Sequence, residues 1–371
     1  MKRRDFLKRS LQLSTLPLLQ GQMPLQFGIE NFQVYWLHIE GAPIREAFDF
    51  WADPLNQFKV TTLNSGQRLF QHKRGKLLLP NIWHDFPRSK KLLDHWLSVR
   101  GISLKGPHLK QARREWFRQS GDSEKSIIQS FNQSFHSQQL PSVDLIAASK
   151  QTAEIYQPLL KTPIKSSTHS GSSSMEGIFS HWYKLANEAS AKTKRPLCLG
   201  LIRSPSSDDN PLFESFDRWD DRTRKNHEDF YSQLLSSLEQ FTEQLKRLQK
   251  FDKSAIIITS DRRKAPINQD TDPELEPVWQ GGHFSLISGA LQGPVTLGDI
   301  YREHPKYAQS YPMTWGVAEK EYNPTHVHQL IMDLCLAESR FQNYNSREEN
   351  PWVAARTFQG LFIKGQPGRV I

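Results

Sequence analysis

Apolar runs rich in β-branched and aromatic residues recur along the chain, separated by longer amphipathic stretches. QVYWLHI (33–39), HWLSVRGIS (95–103), SVDLIAAS (142–149), PLCLGLIR (196–203), AIIITSD (255–261) and HFSLISGAL (283–291) have the length and composition of buried strands. KQARREWFRQ (110–119), SMEGIFSHWYKLANEASAK (174–192) and NHEDFYSQLLSSLEQFTEQLKRLQK (226–250) carry helical spacing instead. Alternation of this kind predicts an α/β fold whose sheet is mainly parallel and covered by helices on both faces.

The stretch 226–250 is the clearest element, because Leu234, Leu235, Leu238, Phe241, Leu245 and Leu248 fall on one stripe and charges occupy the rest. A short FDKS link then leads into AIIITSD, the pattern of a βαβ unit. Ligands of such folds sit beyond the carboxyl ends of the strands, so Ser260 and Asp261 are placed where a site is expected. KSSTHSGSSSMEG (165–177) is small, polar and rich in Gly and Ser, and predicts a mobile surface loop. SPSSDDNPLFESFDRWDD (204–221) predicts a second long irregular segment of the kind that borders active sites. No internal repeat or domain boundary is visible, and a single α/β domain over 27–371 is expected.

Residues 1–26 have a different pattern. MKRRDFLKRSLQLSTLPLL sets Lys2, Arg3, Arg4, Lys8 and Arg9 ahead of a modest apolar stretch, and Arg3-Arg4-Asp5-Phe6-Leu7-Lys8 resembles the twin-arginine export consensus. An amphipathic first helix is the alternative reading. The apolar stretch is broken by Gln12 and Pro17 and falls short of the ~20 residues a spanning helix needs, so no permanent transmembrane anchor is expected. The twin-arginine export machinery is then an expected partner, cleavage is expected between about Gln20 and Gln26, and the destination is the periplasm or cell envelope.

Charge changes this picture little. The chain of 371 residues carries a formal net charge of +9, but residues 1–26 hold five basic residues and one acid, which leaves about +5 for the remainder. The other basic residues are interleaved with acids, as in KQARREWFRQSGDSEK, and read as solvated helix faces; no nucleic-acid-binding signature accompanies them, and no nucleic-acid partner is expected. The two cysteines, Cys198 and Cys335, both lie in apolar surroundings and predict buried free thiols.

The segments LHIEGAPIREAFDFWADP, RWDDRTRKNHEDF, IIITSDRRKAP and QGGHFSLISGALQG occur in an order that resembles the domain-of-unknown-function 1501 family, exported proteins related to sulfatases and alkaline phosphatases. VRGISLKGPHLKQARREWF, SIIQSFNQSFHSQQLPSVDLIAAS and NPTHVHQLIMDLCL resemble further passages of that family, the last its late helix. The resemblance implies an alkaline-phosphatase-like α/β scaffold that holds divalent metals with Asp and His at strand ends and attacks phosphate or sulfate esters. Metals polarise ester oxygens and activate the nucleophile, while carboxylates and neutral imidazoles ligate them.

Several positions of that pattern are altered. Past the first strand stand Ala42, Pro43, Ile44, Glu46 and Ala47, without the family's hydroxyl. The Trp-Asp-Thr-His motif is Trp219-Asp220-Asp221-Arg222, and arginine has no lone pair to give a metal. Ser-Glu-Phe-Gly-Arg-Thr-Pro is Ser260-Asp261-Arg262-Arg263-Lys264-Ala265-Pro266, and an Asp-His pair is Gly282-His283. Glu46, Asp49, Asp220, Asp261 and His283 are therefore the candidate vestigial ligand cluster, with Arg222, Arg262 and Arg263 as candidate anion contacts. No nucleophile is assigned. Individually these residues also fit helix caps, ion pairs and a hydrogen-bonded structural histidine.

Three functions are consistent with these residues. The first is a catalytically degenerate envelope protein without a cofactor, retained for binding an envelope protein or an anionic polymer. The second is a divergent ester hydrolase using a divalent metal on the reduced ligand set. The third is a basic adhesion or scaffold surface.

Overall fold

A computed structural model describes residues 32–40, 51–53, 68–72, 75–79, 90–103, 109–118, 125–167, 174–188, 196–204, 221–260, 281–291, 295–297 and 323–335. In chain order the elements are β1 (Gln33–Glu40), β2 (Trp51–Asp53), β3 (Arg68–His72), β4 (Gly75–Leu79), α1 (Lys90–Leu93), β5 (Trp96–Ser103), α2 (Leu109–Phe117), α3 (Ile127–Ser137) and β6 (Asp144–Ala147). They continue with α4 (Lys150–Leu160), β7 (Lys165–Ser166), α5 (Ser174–Asn187), β8 (Leu197–Arg203), α6 (Asp221–Arg247), β9 (Ser254–Ser260), β10 (Gly281–Ile287), β11 (Val295–Leu297) and α7 (Pro324–Cys335).

The main sheet has the order β11-β5-β10-β9-β1-β8-β6-β7, with β2-β4-β3 forming a small separate sheet. β1 lies in parallel between β8 and β9, and β6 and β7 extend the parallel part beyond β8. β10 runs antiparallel to both β9 and β5. The α/β architecture with a mainly parallel sheet is therefore present, as the alternating pattern predicts. Among the described residues no helix is long and apolar enough to cross a membrane.

Both faces of the sheet are covered, which is why β1 is buried along its whole length and reads as a nearly continuous apolar run. Side chains alternate across it with period two. Val34 and Trp36 enter a core shared with Trp116 and Phe117 of α2, Phe131 of α3, Tyr156 of α4 and Ile331 of α7. Tyr35, Leu37 and Ile39 enter the opposite core with Leu93 of α1, Trp182 of α5 and Phe241 of α6. Stacked and edge-on aromatic contacts seal each side, Trp36 on Phe117 at 5.6 Å and Tyr35 on Phe241 at 4.8 Å between ring centroids.

The helices that face β1 begin at defined points. Ser126 and Gln129 close a capping box at α3, with Gln129 N–H donating to Ser126 Oγ at 3.1 Å and Ser126 N–H to Gln129 Oε1 at 3.2 Å. Ser149, two residues past the end of β6, caps α4, accepting from Thr152 N–H at 3.1 Å.

Three expectations are corrected. The Gly/Ser-rich stretch 165–177 is not all loop, since Lys165–Ser166 adds an edge strand beside β6 and Ser174 onward is helical. A Cβ on Gly177 would collide with the Ser167 side chain, so the glycine is what lets the helix approach the strand end. The helix expected from 226 begins earlier, at Asp221, so the altered motif positions Asp221 and Arg222 form its first turn. Arg113, in a stretch read as a solvated helix face, is buried. Cys198 and Cys335 are buried free thiols, as their apolar surroundings predict.

Gly200 at the middle of β8 gives a direct test of this packing. A Cβ there would meet Ile178 Cγ2 at 2.8 Å, Trp182 Cζ2 at 3.2 Å and Leu37 Cδ1 at 3.4 Å. Gly200→Ala is predicted to cost about 1–3 kcal/mol in denaturant unfolding; an unchanged midpoint would contradict close approach of α5 to β8.

Candidate functional site

The parallel strands β1, β8 and β9 end within one residue of one another, Glu40 pairing with Arg203 and Ile39 with Ser260. Glu40 continues the alternation of Val34, Trp36 and His38, so its carboxyl group turns under the face covered by α2, α3, α4 and α7. Arg203 is its register partner on β8, and its Nε lies 3.5 Å from Glu40 Oε1. Arg113 of α2 reaches the same oxygen and donates from Nη2. The Glu40 side chain is fully buried, and those of Arg113 and Arg203 are only 6% and 12% exposed.

Buried carboxylates occur where cations and hydrogen bonds replace water. Burial pushes the Glu40 carboxyl up from its ordinary range, and the two guanidinium groups pull it back toward ionisation. The Arg113 guanidinium also lies over the Tyr156 ring, 5.9 Å from its centroid. The end of the central strand thus carries a carboxylate already engaged by two arginines.

Deeper along β1, polar groups continue on the same face. Trp36 Nε1 donates to Thr259 Oγ1 at 2.7 Å, and that hydroxyl lies 2.9 Å from His38 Nδ1. The His38 ring is enclosed by Trp116, Phe117 and Tyr156 at centroid distances of 5.7, 4.7 and 6.0 Å. Burial, reinforced by Arg113 and His328, pushes the His38 pKa down to about 3. His328 of α7 donates from Nε2 to the Trp116 carbonyl at 2.8 Å, yet burial holds its pKa at about 3 as well. Both imidazoles are neutral at ordinary pH.

His283 and Arg222 are the expected site residues that the structure describes. Glu46, Asp49, Asp220, Asp261, Arg262 and Arg263, like Arg3 and Arg4 of the leader, lie outside the described residues. His283 pairs in register with Ser260, so it does reach the expected edge of the sheet. Its Nε2 is 2.6 Å from Ser285 Oγ, which also receives Trp96 Nε1–H at 3.0 Å. By strand alternation His283 and Ser285 share the face of Ile287 and Trp96, opposite to Glu40. The sheet therefore separates the surviving histidine from the strand-end carboxylate. Arg222 lies in the first turn of α6, a helix of the His283 side. Among the described residues no group of three or more His, Cys, Asp or Glu side chains could hold a metal.

The sequence reading missed Arg113, Arg203 and His38. A signal for Arg113 exists: Leu109, Ala112, Trp116 and Phe117 trace the apolar stripe of α2, and Arg113 falls on that stripe. A second buried carboxylate, Asp144, sits at the amino end of β6 and meets His181 Nε2 and Lys165 Nζ, the latter at 2.8 Å. It ties α5 and the edge strand β7 to β6, away from the carboxyl ends of the strands.

No family model and no curated protein matches the sequence. Among solved structures, the chain aligns with the lipoteichoic acid synthase LtaP from Listeria monocytogenes at 10% identity, over 78% of this chain and 73% of that one, with a TM-score of 0.43. It aligns with the zinc complex of the C-terminal periplasmic domain of EcEptC from Escherichia coli at 9% identity, over 87% of each chain, with a TM-score of 0.45. A protein in the alkaline phosphatase superfamily from Vibrio parahaemolyticus aligns at 11% identity, over 80% of this chain and 71% of that one, with a TM-score of 0.39. Likenesses at this level carry no argument about chemistry.

The two buried histidines predict a pH dependence. In the unfolded chain each takes up a proton near its ordinary value of 6.5, whereas in the folded chain each does so near 3. Between those values the unfolded state binds more protons, so stability falls as pH falls, by about 1.4 kcal/mol per pH unit for each histidine. Equilibrium unfolding below pH ~6 should show this slope. His38→Gln should remove one proton's share of it; an unchanged slope would place His38 in contact with water.

Proposed function

We propose that this chain is an exported cell-envelope protein on a sulfatase- and alkaline-phosphatase-like scaffold, catalytically degenerate and retained for binding or assembly. The observation that carries the reading is the state of Glu40. The described carboxylate at the carboxyl end of the central strand points into the core and is neutralised by Arg113 and Arg203. A carboxylate committed to two guanidinium groups is a poor metal ligand, because ligation would leave the two cations buried and without their anion.

The altered motifs support the same reading. Arg222 stands where the resemblance to the domain-of-unknown-function 1501 family implies a histidine, and three cations follow Asp261. Arg222, Arg262 and Arg263 would then contact an anionic group on an envelope protein or polymer through charge-assisted hydrogen bonds. Arg3 and Arg4, with the apolar stretch after them, support delivery by the twin-arginine route to the periplasm or cell envelope.

Metal content and ester turnover test the proposal together. Protein purified from the exported fraction, and an Asp261→Ala, His283→Ala double variant, would be assayed by elemental analysis and with chromogenic phosphate and sulfate esters. The expected result is substoichiometric metal in both proteins and no turnover above the buffer rate. Near-stoichiometric metal with turnover, both lost in the double variant, would overturn degeneracy in favour of a metal-dependent hydrolase.

A further inference from the structure

Lys165 and Ser166, the two residues of β7, form the last strand of the main sheet on the β6 side, and among the described residues no strand lies beyond them. An open strand edge offers unpaired N–H and C=O groups to any other chain, above all to a second copy of the same one. β7 is parallel to β6, with Ile146 opposite Lys165 and Ala147 opposite Ser166, and Ser167 N–H donates to the Ala147 carbonyl at 2.9 Å. Backbone groups of successive residues alternate between the two edges of a strand. Lys165 and Ser167 therefore turn toward β6, while Ile164 and Ser166 turn their N–H and C=O groups outward.

Pro163 and Lys165 limit what this edge can offer, and both are exposed. Pro163 has the parity of Lys165 and Ser167, so its backbone nitrogen falls on the β6 side, where it has no hydrogen to give. The ladder accordingly covers only Ile146 and Ala147 of β6, and β7 is two residues long. Lys165 shares the face of Ile146 and Asp144. Its Nζ is held by the buried Asp144 carboxylate at 2.8 Å, although 59% of the Lys165 side chain remains exposed. The ammonium is thus fixed beside the open edge.

Symmetry determines which pairing these residues oppose. Two copies related by a twofold axis pair antiparallel through the same strand. The pairing in which Ile164 of each copy exchanges hydrogen bonds with Ser166 of the other sets Lys165 directly opposite its counterpart, at about 4.5 Å between Cα atoms. Like charges in that position are destabilising. We propose that Pro163 and Lys165 form an edge guard that keeps β7 from adding to the β7 of a second copy of this chain. Pro163 acts by ending the ladder, so that few outward groups are held in strand geometry, and Lys165 acts by charge.

Sedimentation velocity of the full chain across a series of concentrations tests the guard, with wild type, Pro163→Val, Lys165→Val and the double variant compared. Denaturant unfolding checks that each is folded. Pro163→Val keeps the Lys165–Asp144 pair, so it carries the test alone should Lys165→Val not fold. The double variant is expected to shift with concentration toward twice the wild-type mass, and each single variant to shift less. Adding Ser166→Pro to an associating variant withdraws an outward N–H and leaves the bonds to β6 in place, and should restore wild-type sedimentation. Folded variants that sediment as wild type does at every concentration, or association that persists with Ser166→Pro, would overturn the proposal.

Discussion

The arrangement depends on a carboxylate that has no access to bulk water. Glu40 ends the central strand with its side chain under a layer of helices, and Arg113 and Arg203 make that burial tolerable. The pair from Arg203 ties the ends of β1 and β8, while the pair from Arg113 brings α2 onto the same point. Removing one member of such a set costs about 3–5 kcal/mol, because a charge is then left without its partner. The joined ends of β1 and β8 and the seating of α2 therefore depend on the same charges.

Strand alternation divides the polar groups between the two faces of the sheet. On one face stand Glu40, His38, Thr259 and Trp36 among the rings of α2 and α4. On the other stand His283, Ser285 and Trp96, a hydrogen-bonded set over α1, α5 and α6. A residue can reach the expected edge of the sheet and still lie on the face opposite the strand-end carboxylate. For His283 the hydrogen-bonded structural histidine describes the observed contacts, and for His38 and His328 burial keeps the imidazoles neutral.

Strands were legible because their burial on both faces leaves an apolar run, as in QVYWLHI and AIIITSD, and the long helix because Leu234 to Leu248 follow one stripe. The short strands β2, β3 and β4 were not legible, since WAD, RLFQH and GKLLL are too brief and mixed to show a period. Glu40 directly follows QVYWLHI in the sequence, but its direction depends on counting alternation from Trp36 rather than on any motif. Arg113 was hidden for another reason: a charge on an apolar stripe resembles an ordinary surface arginine until its acid partner, 73 residues away in sequence, is known. The candidate cluster Glu46, Asp49, Asp220 and Asp261 falls in segments without the periodicity from which elements are read.

Strong coupling between the strand-end carboxylate and the helix arginine is the central claim, and a double-mutant cycle on Glu40→Gln and Arg113→Met measures it most directly. With stability determined by denaturant unfolding at neutral pH, the account predicts single losses that do not add, with a coupling energy of about 1–3 kcal/mol. Additivity within about 0.3 kcal/mol would mean that the two groups act independently, and the carboxylate would then be free to serve another partner at the strand ends.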